Sequence, residues 1–131
     1  MVSFLNKHIK AVRSNKALPE KIQLNLLIYL HRLLENGYSL TDSLEKLKWE
    51  KQFNEAATKI ELAILRGEHL DKAFELALFH DSIISYLYFI RMNGNMLESI
   101  EKCILMFDHR VKYVEQFKRM IRYPLFLFIV L

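Results

Sequence analysis

The chain has 131 residues, 52% of them hydrophobic and 26% charged, with a formal net charge of +4. That length suits one domain with a core of its own and argues against two. Three Gly and two Pro, set against abundant Leu, Ile, Lys and Glu, leave little turn chemistry for sheets, so the expected fold class is all-α.

The charge is unevenly laid out. Residues 1–24 carry five Lys/Arg against one acid, residues 25–109 nine against thirteen, and residues 110–131 five against one. Basic ends flanking an acidic middle suit an anionic membrane surface better than nucleic acid, which asks for a basic face through the folded body. Cys103, the only cysteine, has no disulfide partner and no CxxC spacing for zinc, which fits a reducing, cytosolic setting. Residues 1–16 lack the apolar stretch and cleavage site of a secretory signal.

Along the chain, Val2, Leu5, Ile9 and Val12 are spaced by three, four and three residues. Lys7, Lys10, Arg13 and Lys16 fall mostly off that stripe, which predicts a basic amphipathic helix over 1–17. Two roles stay open for it: packing on the domain as a further helix, or binding a partner or membrane through Lys7, Lys10 and Arg13. Pro19 then fits the first turn of a new helix.

From there the chain repeats. "YLHRLLENGYSLTDSLEKL", "ELAILRGEHLDKAFELA" and "YFIRMNGNMLESIEKCI" each carry an apolar helical stripe, a Gly, an apolar residue, and then another apolar residue followed by Glu. The spaced residues are Leu40, Leu44 and Glu45; Leu70, Phe74 and Glu75; Met96, Ile100 and Glu101. Gly37, Gly67 and Gly94 are expected to be the hinges, each closing one helix and turning the chain into the next. Ser39 is placed to cap its helix, with Asp42 three positions on.

Three αα-hairpins predict a six-helix antiparallel bundle, with helices near 19–36, 39–51, 53–66, 68–79, 81–93 and 95–122. The expected core is Leu26, Leu27, Leu30, Leu33, Leu34, Leu40, Leu44, Leu47, Ile60, Ile64, Phe74, Leu78, Ile84, Leu87, Ile90, Ile100, Ile104 and Phe107.

The last helix has no Gly to stop it. It runs through Lys118, Arg119 and Arg122 to Tyr123 and Pro124, and from Leu125 onward there are seven consecutive apolar residues. These cover about 10 Å, whereas a spanning helix needs roughly 20 residues. Lys118, Arg119, Arg122, Tyr123 and Pro124 are the expected point of contact with the membrane, with the bundle on the cytoplasmic side. The expected layout is therefore the N-terminal helix over 1–17, the bundle over 18–122, and a truncated transmembrane segment over 123–131.

No catalytic constellation is visible. His8, His31, His69, His80 and His109 show no HxxxH or HxxE spacing, and no glycine-rich phosphate loop is present. Cys103 reads as a buried small apolar residue. Glu35, Glu68, Asp71, Glu75, Asp81 and Glu98 gather near the turns, where a solvated acidic face is favoured over an ion site. No cofactor or metal is expected.

These features together resemble the F-type cytoplasmic domain of type II secretion and type IV pilus platform proteins, the GspF/PilC family. They are most similar to the ComGB-like members of Gram-positive competence pseudopili. The family's apolar-Gly-x-x-Leu-x-x-Ala/Ser-apolar pattern is met by Gly37, Leu40, Ser43 and Leu44, and again by Gly67, Leu70, Ala73 and Phe74. Tyr123 and Pro124 match the Tyr-Pro ahead of its first transmembrane helix. One departure is "RMNGNM", where Arg91, Met92 and Asn93 stand in place of a Gly-Glu pair before the third glycine.

The resemblance implies a multi-pass cell-membrane platform with this segment on the cytoplasmic side, no enzymatic activity and no cofactor. It also implies homodimers, and coupling of an assembly ATPase to insertion of pilin-like subunits. Such a machine serves DNA uptake (transformation) or protein secretion. Two other classes remain open: a soluble helical-repeat adaptor, and a helical nucleic-acid-binding protein using Lys7, Lys10, Arg13, Lys118, Arg119 and Arg122. The resemblance itself gives no reason to expect direct nucleic-acid binding.

Overall fold

Among the described residues, the first helical turn begins where Pro19 presets φ at −53°. Its carbonyl accepts the N–H groups of Ile22 and Gln23 at 2.9 and 3.0 Å, as a proline at a helix start allows. The structure, a computed structural model, describes residues 17–130. Six helices and no strand lie among them: α1 (Glu20–Glu35), α2 (Leu40–Leu47), α3 (Asn54–Leu65), α4 (Leu70–Leu76), α5 (Asp81–Asn93) and α6 (Met96–Val130).

Each helix packs on its neighbours in the chain, and α1 packs on α6, so the helices form a closed ring. The core runs through its centre. Leu26, Leu27, Leu30, Leu44, Phe53, Ile60, Phe74, Ile83, Leu87 and Ile100 are fully or almost fully buried. A fully buried large apolar side chain contributes about 1.5–3 kcal/mol against exposure, most of it offset by the entropy of ordering the chain. Ser43 and Ala73, the small residues of the repeated pattern, are completely buried beside Leu44 and Phe74. A larger side chain at either position would have to displace packed neighbours.

The turns explain the repeat. After α1, the Gly37 N–H bonds the Leu34 carbonyl and the Tyr38 N–H bonds the Leu33 carbonyl, both at 3.1 Å. After α3, Gly67 and Glu68 bond Ile64 and Ala63 at 3.0 Å. Both are Schellman closures with glycine at left-handed φ, +92° at Gly37 and +89° at Gly67. Ser39 caps α2, its hydroxyl accepting the Asp42 N–H at 3.1 Å.

The same closure ends α4, but with leucine in the glycine's place. Leu78, at φ +62°, bonds Glu75, and Phe79 bonds Phe74 at 3.1 Å. The Phe74 and Phe79 rings meet edge to face at 4.6 Å, which holds the turn closed. This corrects two expectations: α4 stops at Leu76, not 79, and Leu78 leaves the core to stand 38% exposed. Ile83 occupies the buried position expected of Ile84, which is only half-buried. The side chain of Ile90 lies outside the description.

α2 also ends early, at Leu47 rather than 51. Trp49, Glu50 and Phe53 N–H groups bond Lys46, Leu47 and Glu50 carbonyls, and the Asn54 amide donates to the Lys48 carbonyl at 2.8 Å. Phe53, fully buried, anchors this turn.

The sixth helix runs on past the expected bundle boundary at 122, through Pro124 to Val130, 35 residues in all. Pro124 removes the N–H that would bond the Met120 carbonyl, on a turn whose residues are all exposed. No helix among the described residues is long and apolar enough to cross a membrane, so the truncated transmembrane segment is not found as such. Its apolar run, about 10 Å long, falls well short of a hydrocarbon core of about 30 Å.

Candidate interaction surface

Clefts among the described residues open at the surface, one of them between α5 and α6 and lined by Tyr86, Phe89, Asn95, Glu98, Ser99 and Lys102. Among the described residues no group of His, Cys, Asp and Glu could hold a metal ion. Burial pushes the Cys103 thiol up to about 12, which keeps it protonated and unreactive at neutral pH. Several carboxylates near the turns are engaged by neighbours: Asp71 lies 3.8 Å from Arg91, Glu75 3.3 Å from Lys72 and Glu98 3.2 Å from Lys102.

His80 caps α5, its Nδ1 accepting the Ser82 N–H at 3.1 Å. It also belongs to the seam that closes the ring. Its Nε2 lies 3.8 Å from Glu20, which Arg110 of α6 contacts at 3.1 Å. Beneath that seam Gln23 is buried, its amide donating to the Leu18 carbonyl at 2.7 Å and accepting the His80 N–H at 2.9 Å. Sequence reasoning passed over Gln23, since one glutamine in a leucine-rich stripe carries no signal for the backbone groups it satisfies.

What remains is surface, and two parts of it stand out. The first is the end of α6. Val111 is its last buried residue, Val114 is half-buried, and everything from Glu115 to Val130 is exposed. Val114, Phe117, Ile121 and Leu125 follow one face, with Lys118 and Arg122 lining the same surface. Tyr123 is exposed, and Pro124 lines the adjoining face with Phe117 and Met120. None of Lys118, Arg119 and Arg122 has an ion-pair partner among the described residues. Lys7, Lys10 and Arg13 lie outside the described residues.

The second is the corner where α1, α2 and α3 meet. Trp49, the chain's only tryptophan, is 79% exposed. The Lys46 ammonium sits 4.8 Å from the Tyr38 ring centre and 5.5 Å from that of Trp49. Next to this corner Lys48 is fully occupied, 2.7 Å from Glu45 and 3.0 Å from Glu61. The hydrogen bond from Lys48 holds the Glu45 carboxyl below its usual range, and Glu45 in turn raises the Lys48 ammonium.

The described residues thus form an all-α module: a ring of short helices with glycine turns, and an exposed apolar helix end preceded by basic residues. The family model for type II secretion system (T2SS) protein F matches residues 26–131, and the chain belongs to that family, whose members are typically membrane-associated. Neither curated proteins nor solved structures give a significant match.

Proposed function

We propose that this chain is the cytoplasmic domain of a platform protein that assembles a type IV pilus, competence pseudopilus or type II secretion pseudopilus. The observation that carries the reading is the family match over 26–131, together with a bundle whose last helix projects a basic and then apolar arm. In this reading the chain has no chemistry of its own. It forms a homodimer and transmits motion from an assembly ATPase to the insertion of pilin-like subunits. The exposed run from Leu125 onward is the part that meets the membrane, with Lys118, Arg119 and Arg122 at the anionic headgroups and Tyr123 at the interface. Lys7, Lys10 and Arg13 are partner contacts. Within the family the reading favours the competence pseudopilus and DNA uptake.

The test is genetic and physical. Replacing Leu125, Phe128 and Ile129 together by Asn in the parent gene is expected to release the protein from the membrane fraction and abolish both pseudopilus fibres and transformation. Normal fibres with unchanged membrane association would overturn the reading. Lost secretion with intact transformation would move it to the secretion branch.

A further inference from the structure

The stripe that α6 buries in the ring through Phe107 and Val111 does not end with its cover. Val114, Phe117, Ile121 and Pro124 carry it on, in steps of three, four and three residues, with Leu125 beside the last. Val114 is half-buried and the other four are exposed. An apolar face of this length asks for a second helix along it.

Residues 1–16 lie outside the described residues, but the place where they join the ring is described. Glu20 and Lys21, in the first turn of α1, lie 3.1 Å from Arg110 and 4.0 Å from Glu115 of α6. The Gln23 amide holds the Leu18 carbonyl at 2.7 Å. The chain therefore enters the ring beside the point where the arm leaves it.

The entering segment has a stripe of matching period. Read back from the ring, Val12, Ile9, Leu5 and Val2 also step by three, four and three. Laid antiparallel on the arm, the segment sets Val12 against Val114, Ile9 against Phe117, Leu5 against Ile121, and Val2 against Pro124 and Leu125. Each stripe is about 15 Å long as a helix, and alternating steps of three and four are those along which two helices interlock. Lys7 and Lys10 of the segment and Arg119 of the arm fall away from this seam. Both helices are basic, so apolar contact draws them together against a weaker charge repulsion. Because the segment is tied to the ring at Ala17, it meets the arm at an effective concentration of roughly millimolar, which favours it over a second copy of the chain.

We propose that residues 1–16 pack antiparallel along α6 from Val114 to Leu125 and cover the open face of the arm. Lys7 and Lys10 are left pointing outward. The inference stands on the pattern and the point of entry, without the platform reading.

Cysteine pairs in the full chain test it, in dilute buffer without lipid, where buried Cys103 does not compete. Ile9→Cys with Phe117→Cys is expected to form a disulfide within one chain at least about ten-fold faster than Lys7→Cys with Phe117→Cys, whose first position faces away. Adding Leu5→Asp to the fast pair is expected to slow it to the rate of the Lys7 pair. Raising the salt is expected to speed it, by screening the repulsion between two basic helices. Circular dichroism melts check that the ring of each variant is folded. Equal rates for the two pairs would overturn the proposal. Disulfides between chains in place of those within one would overturn it in favour of a second copy. Loss of the fast reaction when phosphatidylglycerol vesicles are added would overturn it in favour of a face covered by lipid.

Discussion

The ring and the arm of α6 are built from the same helix-forming residues and comparably apolar stretches, yet they differ in what those residues touch. Up to Val111 each turn of α6 buries a side chain against α1 or α5: Ile100, Cys103, Phe107, then Val111. Beyond Val114 Phe128 is 85% and Ile129 77% exposed. Apolar periodicity therefore reports a helix face that needs covering without saying whether the cover is within the chain. In the ring the stripe is covered from within the chain; in the arm the described residues leave it open.

The largest expected effect separates the two regions. Phe53→Ala removes a fully buried ring from the α2–α3 turn and is expected to cost about 3–5 kcal/mol in chemical denaturation. Phe128→Ala on the arm is expected to change stability by less than about 0.5 kcal/mol. Similar costs at the two sites would mean that the arm is packed in solution.

A smaller effect compares turns within the ring. Gly67→Ala places a Cβ where no atom lies within 4 Å, so its cost is purely conformational, about 1 kcal/mol. Leu78→Gly relieves the same strain at φ +62° and is expected to stabilise by up to about 1 kcal/mol, since the leucine is already part-exposed. A thermal melt that falls for both variants would show that Leu78 contributes more by contact than it costs by conformation.

The smallest effect is electrostatic. Because Glu45 is held low by Lys48, its contribution is present above the ordinary carboxylate range and fades as pH falls through its depressed value. Because Lys48 is raised by Glu45, its contribution is present below the ordinary lysine range and fades as pH rises through the raised value. Lys48→Met is therefore expected to lose stability at neutral pH and to converge on wild type in acid. A gap independent of pH would assign the effect to packing of the lysine stem.

Much of the ring was legible because its signals are local. Leu26, Leu27 and Leu30 lie on one stripe, and Gly37 and Gly67 mark turns that need left-handed backbone. Leu78 was not legible: four residues after Phe74 it continues the helical stripe, and only the Phe74–Phe79 contact shows why the chain turns there. The stripe of α5 pointed to Ile84, whereas packing against α4 and α6 buries its neighbour Ile83 instead. The exposed corner went unread because no periodicity flags an isolated tryptophan in a polar turn, although "KWEKQF" contains it in plain view.

The seam between the first and last helices governs how force would travel. Arg110 holds Glu20, and Gln23 ties the start of α1 to the start of α5. Among the described residues the hoop is closed at this seam and by the packing of α1 on α6. A twist applied to the exposed end of α6 would reach α1 and α5 first, the two helices that α6 touches.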